Sequence, residues 1–306
     1  MAGAPGSAGL LAAPAVAAGP AAAPRHLGLG ADAWRRLRRN RLALAGAAVV
    51  VALALTALFA DVLAPYPYAR AHFDRLLQGP SPAHPLGTDP LGRDVLSRLI
   101  HGARISLLVG LGAQGLIVLI GVPIGALAGW LGGRTDLVLM RAIDVMYAFP
   151  RLLFVILLMA ALGAGLANIF IAIGLTGWVG IARQTRAQVL ALKATEFVEG
   201  ARALGAGPAR TLLRHVLPNV ASHVIVILTI TIPELILAES ALSFLGLGIQ
   251  PPAVSWGVLL NDATTLQALG QYPWILLPGV AILSTVLAFN FLGDGLRDAA
   301  DPYGKR

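Results

Sequence analysis

TEFVEGARALGAGPARTLLRHVLP (195–218) is a polar, basic stretch in a chain that otherwise consists of long apolar segments. The charge-free segment 167–181 precedes it, and the apolar segment from about 220 to 245 follows it. Gly205 and Pro208 interrupt it near its middle. A polar stretch between two membrane segments is expected to face water, and we favour the interpretation that it is a docking surface for another protein.

The composition indicates a membrane protein. Of 306 residues, 57% are hydrophobic and 12% are charged, whereas a soluble domain carries roughly 25% charged residues. Several stretches without charge reach the length of about 20 residues that crosses a bilayer as a helix. The net charge of +8 comes from basic residues at segment ends, which is typical of cytoplasmic loops rather than of nucleic-acid binding. The absence of cysteine excludes disulfides and thiolate metal sites.

Apolar segments and basic loops predict six crossings with both termini in the cytoplasm. We expect a disordered tail over 1–40, a first membrane helix over 41–63, an external segment over 64–103, a helical core over 104–294 and a cytoplasmic tail over 295–306. The core includes a cytoplasmic loop over 187–219. The apolar parts of the six helices are expected at about 42–60, 105–133, 139–162, 167–181, 220–245 and 274–292.

The external segment contains one amphipathic stretch. Val95 and Leu99 fall on one helical face, opposite Asp94 and Arg98. This pattern predicts a short helix that lies on the membrane surface or against the mouth of a transporter.

The stretch 195–218 contains helix-capping and helix-breaking residues that predict two short helices. Thr195 is expected to cap the first helix, and Gly205 to end it. Pro208 suits the first position of the second helix, and Pro218 is expected to restart the chain as the next membrane helix. We also expect Leu212 and its neighbour Leu213 to be exposed, as a docking surface requires.

The same residues resemble a known motif. Glu199-Gly-Ala201, then Gly205, then Leu217-Pro218 is similar to the Glu-Ala-Ala loop of binding-protein-dependent ABC importer permeases. Two positions depart from the family pattern. Gly200 replaces an alanine, which lowers helix stability by up to about 1 kcal/mol, and His215 replaces the usual isoleucine, as in the dipeptide/oligopeptide branch.

Other segments extend the resemblance over nearly the whole chain beyond residue 30. They resemble the C-type permease subunit of the dipeptide/oligopeptide branch. The matching segments are 84–98, 239–252 with 255–257, 290–298 and 301–302. The resemblance implies an all-α polytopic membrane protein with six transmembrane helices, made of the MetI-like five-helix permease core and one N-terminal helix.

The resemblance also implies a function and partners. It implies a permease subunit in the bacterial inner membrane, not itself an enzyme, that imports di- or oligopeptides. A second, B-type permease, two cytoplasmic ABC ATPases, an extracytoplasmic binding protein and membrane lipid would be its partners, with no nucleic acid. The chain's two lysines, Lys193 and Lys305, lie in no phosphate-binding loop. No cofactor is therefore expected on the chain itself, and ATP and magnesium would bind the ATPases.

Under this resemblance, the stretch 195–218 couples the permease to one ATPase. Glu199 and Gly205 would fix its shape, and its arginines would make polar contacts. The expected ATPase-coupling residues are Glu199, Gly200, Ala201, Arg202, Gly205, Arg210, Arg214, His215, Leu217 and Pro218.

Ionisable residues in membrane segments suggest further sites. We expect Glu239, with Ser240 and Phe244, either at the pore or subunit interface or merely hydrogen-bonded inside the bundle. The second reading is favoured for Glu234, five residues earlier.

Other charged and imidazole groups have less specific readings. Arg151 and Asp144 could anchor a helix end in the lipid headgroups or bind substrate, and we favour the headgroup reading. His101 and His223 are isolated, so no metal site is expected. Four external residues could touch the binding protein or cap the pore: Asp89, Arg93, Asp94 and Arg98.

Two alternatives concern the function. The same architecture could import another solute, such as a nickel chelate or an opine-like compound. An ion-coupled secondary transporter would show paired inverted repeats and broken helices, which the sequence does not reveal. A membrane enzyme is the weakest reading, because no cluster of His, Asp or Ser suggests a catalytic site.

Overall fold

The computed structural model describes residues 34–263 and 270–300, and within these ranges the regular secondary structure is helical, with longer loops over 64–94 and 245–255. An isolated bridge between Thr88 and Asp94 is the β pairing found there. The expected disordered tail (1–40) lies mostly outside the described residues. So do the basic C-terminal residues Lys305 and Arg306 and the matching segment 301–302.

The first membrane helix, α1 (Arg41–Leu58), is followed by the short α2 (Ala60–Leu63). Asn40 caps α1 by accepting a hydrogen bond from the backbone of Ala43 at 3.1 Å. The helix packs against the last one, α11 (Leu277–Ala300). A Cβ atom at Gly46 would lie 2.5 Å from a backbone oxygen of α11, so a small residue sets this close approach.

The second membrane helix is longer than the sequence predicts. It is α3 (Val95–Leu131), with 37 residues, and its first turns are the stretch predicted as a separate surface helix. That prediction is wrong because the polar face is buried as well as Val95 on the apolar face. Ser97 and Arg98 are buried and are held by ion pairs and hydrogen bonds to neighbouring segments.

The third predicted helix is broken. The structure has α4 (Gly133–Tyr147) and α5 (Arg151–Leu162), bent by 82° at the break. The prediction of one helix across Pro150 is therefore wrong. The axes of α4 and α5 differ in direction because two ion pairs hold α4 against α6 (Leu166–Lys193). Arg186 Nε donates to Asp136 at 2.5 Å, and Arg183 pairs with Asp144.

Helices α3 and α6 form the most extensive helix pair of the described chain. Gly121, Gly125 and Gly129, four residues apart, line the seam on α3. A Cβ atom at Gly125 would lie 2.2 Å from the backbone oxygen of Ala182. Such a ladder of small residues lets two membrane helices approach closely.

After α6 the chain forms α7 (Glu196–Ala203) and α8 (Pro208–Thr211), and a π-helical turn (Leu212–Val216) then leads into α9 (Leu217–Phe244). The remaining described elements are α10 (Trp256–Asn261), a 3₁₀ turn (Pro273–Leu276) and α11. Five of the described helices are long and apolar enough to cross a membrane, and the bent pair α4–α5 makes six. The six-span, all-α architecture predicted from the sequence is confirmed in this sense.

Candidate coupling element and transmembrane groove

The end of α7 is built by residues of the Glu-Ala-Ala motif. Gly205 has φ +86°, a left-handed conformation that favours glycine. Its N–H donates to the Arg202 carbonyl at 2.9 Å, and the Ala206 N–H donates to the Ala201 carbonyl at 3.0 Å. These two bonds are the Schellman motif, which satisfies the last carbonyls of a helix. Gly205 thus ends α7, as the sequence predicts.

The start of α7 differs from the prediction. Thr195 occupies the N-cap position, but its side chain makes no capping hydrogen bond. Its hydroxyl donates instead to the carbonyl of Leu192 at 2.5 Å. The first turn of α7 therefore relies on the favourable charges of Glu196 and Glu199 near the helix N-terminus.

Pro218 lies in the first turn of α9, as the sequence predicts, but no break separates α9 from the preceding turn. In the π-helical turn, the Leu217 N–H reaches back five residues to the carbonyl of Leu212. Pro218 has no N–H to donate, so the π-turn accommodates it without breaking the helix. As a result α8, the π-turn and α9 form one span from Pro208 to Phe244.

The element 195–218 is anchored on its inner side. Val198 and Val216 are fully buried in a cluster with Trp130 of α3 and Val189 of α6. Leu212 belongs to the same cluster, so the expectation that it is exposed is wrong. The guanidinium of Arg202 lies 4.9 Å from the centre of the Trp130 ring, so Arg202 also contributes to this anchoring.

The outer side of the element carries exposed apolar side chains. Leu204 is 91% exposed and Leu213 is 64% exposed, and Phe197 lies on the same short segment. Glu199, Gly200, Arg210 and Arg214 are exposed around them, whereas Ala201 and His215 are half-buried. Leu204 was not predicted. Its position immediately before the helix-ending Gly205 was the signal available in the sequence.

The predicted external contact residues form an internal network instead. Asp89 accepts from Arg93 Nε at 2.7 Å and pairs with Arg98, whose Nη1 also donates to Asp262 at 2.7 Å. Asp94 accepts from the Ser97 backbone at 2.8 Å. Because Asp89, Asp94 and Arg98 are buried, they are not available to a binding protein, and that expectation is wrong for them.

Histidine and acidic side chains near the same end are also engaged in the fold. His101 Nδ1 lies 2.9 Å from the Ser97 carbonyl oxygen. Hydrogen bonds from Arg104 and then His101 lower the pKa of Asp61 below its usual range. Within residues 34–263 and 270–300, no group of three or more His, Cys, Asp or Glu side chains is arranged to hold a metal ion.

Glu239 lies inside the bundle. Its side chain is 0% exposed and accepts hydrogen bonds from Ser243 at 2.7 Å, Ser106 at 3.2 Å and Ser240 at 3.4 Å. The expectation that Glu239 and its buried neighbour Ser240 lie at a pore or subunit interface is therefore wrong. The alternative expectation, that Glu239 is hydrogen-bonded inside the bundle, agrees with the structure. Phe244 is exposed, so its assignment to a pore or interface stays a prediction.

Glu234 and Arg151 line a cavity rather than the lipid or the bundle interior. The cavity has a volume of about 540 Å³ and is bounded by α3, the α4–α5 break, α6 and α9. A second cavity of about 630 Å³ lies toward the 195–218 element, between α6, α9 and α11. Gln184 of α6 lines both cavities. Together they form a groove that the sequence did not reveal.

Comparison with known proteins decides the family. Residues 121–303 match the family described as "Binding-protein-dependent transport system inner membrane component". The chain belongs to this family. Residues 28–80 also match the N-terminal transmembrane domain of oligopeptide transport permease C. The resemblance stated from the motifs is thereby confirmed, and the chain is a non-catalytic membrane component of an ABC importer.

Several relatives match over most of their length. The dipeptide transport system permease protein DppC of Bacillus subtilis (strain 168) is 46% identical over 90% of this chain and 86% of that protein. The oligopeptide permease OppC of the same organism is 44% identical over 91% of each chain. The glutathione transport system permease protein GsiD of Pectobacterium atrosepticum is 43% identical, over 88% of this chain and 89% of the relative.

A solved structure supports the fold alone. A chain of the MetNI methionine ABC transporter, in an inward-facing conformation, matches with a TM-score of 0.54 and 18% identity. The match covers 67% of this permease and 97% of the other chain. It agrees with a shared helical permease core to which this family member adds further segments.

Proposed function

We propose that this permease forms half of the translocation pathway of an ATP-driven importer for di- or oligopeptides, and that the element 195–218 docks on a cytoplasmic ATPase. A B-type permease, a second ATPase and an extracytoplasmic binding protein complete the assembly. In this arrangement both termini and the element face the cytoplasm, where the ATPases bind ATP and magnesium.

The observation that carries the docking role is the two-sided construction of the element. Val198 and Val216 fix it to α3 and α6 from within, while Leu204 projects apolar surface into solvent at 91% exposure. An apolar anchor with charged residues around it has the composition of a protein interface. Glu199, Arg210 and Arg214 supply that charged rim.

Site-specific cross-linking tests the docking role. The chain has no cysteine, so Leu204→Cys gives a single reactive thiol. We expect it to cross-link to an ATPase subunit in the assembled transporter, and Leu76→Cys, exposed in the segment between α2 and α3, to give no such product. Equal ATPase cross-linking at both positions, or none at Leu204→Cys, would contradict the proposal.

The peptide cargo is supported by the relatives, whose names specify dipeptide, oligopeptide and glutathione transport. Uptake of radiolabelled dipeptides into proteoliposomes that contain the whole transporter tests it, with methionine and a nickel chelate as comparison solutes. We expect ATP-dependent accumulation of the peptides. Accumulation of the nickel chelate instead would assign the architecture to that other cargo.

A further inference from the structure

The groove runs along one face of α9. Asn219, His223, Ile227, Thr231 and Glu234 line its two cavities, and their spacing of three or four residues places them on one side of a helix. The sixteen residues from the first to the last extend about 22 Å, most of the roughly 30 Å of hydrocarbon that a membrane protein crosses.

The other side of α9 differs from the groove side. Ile225 is exposed there, and Ile232 and Ile236 are buried in the bundle core. Glu234 on the groove side makes no hydrogen bond or salt bridge within the described residues, and an unpaired polar group in hydrocarbon is costly. The two sides together indicate that the groove side faces water or a polar solute.

Two opposite charges stand at the deep end of this groove. Arg151 is the first residue of α5, directly after the helix break, and Glu234 lies on α9 across the 540 Å³ cavity. Both side chains line this one cavity. Within the described ranges, however, neither makes a hydrogen bond or a salt bridge.

Other polar groups near this cavity are paired. Thr231 donates to Gln114 Oε1 at 3.0 Å, and Arg183 pairs with Asp144. The buried Glu239 is surrounded by serine hydroxyls. Against these, Arg151 and Glu234 are the charged residues of the 540 Å³ cavity that make no hydrogen bond or salt bridge within the described part of the chain, and ionisable residues at membrane depth commonly mark a solute path.

We propose that Arg151 and Glu234 hold the carboxylate and the ammonium group of a zwitterionic solute, a short peptide with both termini free, as it passes along the groove. The inference rests on the proposed function and adds to it the residues that read the solute's charge. The uncharged amides of Gln114 and Gln184 lie along the same path and suit the peptide backbone. Because Arg151 and Glu234 form no salt bridge with each other, both charges are available to attract the solute. Conduction requires such a site to bind the solute weakly enough to release it.

Thiol labelling tests the path without requiring turnover. In the complete transporter with a cysteine-free second permease, Thr231→Cys should react with water-soluble methanethiosulfonates, and a saturating dipeptide should slow the reaction. Ile225→Cys, on the lipid side of the same helix, is the matched control and should stay unreactive. A Thr231→Cys thiol as unreactive as the control would show that the second permease covers the groove, and would overturn the proposal.

The reaction rates of the same thiol with charged reagents also measure the electrostatic effect of Arg151 and Glu234. In the Thr231→Cys chain, Arg151→Gln should raise the ratio of cationic to anionic reagent rates several-fold, and Glu234→Gln should lower it. Arg141→Gln, an exposed charge change on α4, should leave the ratio unchanged. Because labelling needs no transport, an unchanged ratio in Arg151→Gln and Glu234→Gln overturns the proposal even where a variant is inactive.

Transport by the complete complex completes the test. With its binding protein saturated by dialanine, Arg151→Gln and Glu234→Gln should move several-fold fewer peptides per ATP hydrolysed, and Arg151→Lys and Glu234→Asp should recover part of the loss. A wild-type complex that moves no peptide contradicts the proposed function. A wild-type complex that moves peptide, with Gln variants equal to it, leaves that function standing and overturns the charge-reading role.

Discussion

Two alanine substitutions in the element 195–218 are expected to change the stability of α7 in opposite directions. Gly205 has φ +86°, and an L-residue pays roughly 1–2 kcal/mol for the left-handed conformation. Gly200 lies inside α7, where a Cβ atom would meet nothing within 4 Å. There alanine gains about 0.5–1 kcal/mol over glycine. Gly205→Ala should therefore loosen the helix end, and Gly200→Ala should stiffen the helix.

The cost at Gly205 has an upper bound set by the hydrogen bonds. If the chain escapes the strain by rearranging, it loses the bonds from Gly205 to Arg202 and from Ala206 to Ala201, each with a net contribution of about 0.5–1.5 kcal/mol. Both routes thus cost between about 1 and 3 kcal/mol. One to two kcal/mol corresponds to a roughly 5- to 30-fold change in the population of the native helix end.

Hydrogen–deuterium exchange of the peptide that covers 196–206 measures this change, with the transporter in lipid nanodiscs. We expect exchange to speed up about 5- to 30-fold in Gly205→Ala and to slow in Gly200→Ala. If this helix end couples ATP hydrolysis to transport, Gly205→Ala should also transport fewer peptides per ATP. Unchanged exchange in Gly205→Ala, or faster exchange in Gly200→Ala, would refute the reasoning.

Three further substitutions test the packing that holds the groove in place, each by thermal unfolding of the purified permease. Gly125→Leu should destabilise the α3–α6 seam by about 1–3 kcal/mol, because its Cβ atom would lie 2.2 Å from a backbone oxygen. Gly115→Leu, on an open face of the same helix, should change little. Glu239→Leu should cost about 1–3 kcal/mol for the serine hydroxyls left without their acceptor. Glu239→Gln should cost less, because an amide can both accept from and donate to hydroxyls, and equal effects of the two would contradict the hydroxyl cage. Arg98→Gln should cost about 3–5 kcal/mol, since it leaves Asp89 buried beside one remaining arginine; an unchanged melting temperature would show that the network contributes little.

The membrane spans could be predicted because their signal is local. A helix that crosses a bilayer must be apolar over its whole length, and the charge-free runs of α1, α3 and α11 show this directly. The turn at Gly205 could be predicted for the same reason. A glycine and a following proline specify a helix end and a new helix start in a few residues.

The break at Pro150 could not be predicted, because proline alone does not decide it. Pro123 lies inside α3 and Pro233 inside α9, and neither interrupts its helix. Each proline removes one backbone hydrogen bond, and packing determines whether the helix continues. At Pro150 the ion pairs of Asp136 and Asp144 with α6 fix the direction of α4, and these contacts are distant in sequence.

The sequence left two readings open for Glu239 and favoured the hydrogen-bonded one for Glu234, whereas the structure gives the hydrogen-bonded position to Glu239 and places Glu234 at a cavity. The reason is geometric. Glu234 and Glu239 are five residues apart, so they point in directions that differ by about 140°. The sequence therefore shows that one of them faces the bundle when the other faces out. It does not show which, because the side chains that face each glutamate come from other helices that are distant in sequence. The serine residues that surround Glu239 come partly from α3, 133 positions earlier in the chain.

The placement of these features on one helix suggests how docking could act on the groove. A single span from Pro208 to Phe244 carries the exposed Leu213 near one end and Glu234 deeper in the membrane. The π-turn keeps this span unbroken at Pro218. Because a helix is stiff along its axis, a displacement of the docked end moves Glu234 with it, while Arg151 sits on the separately oriented α5. If α5 does not follow this displacement, the separation of the two charges changes, and with it their hold on a zwitterion.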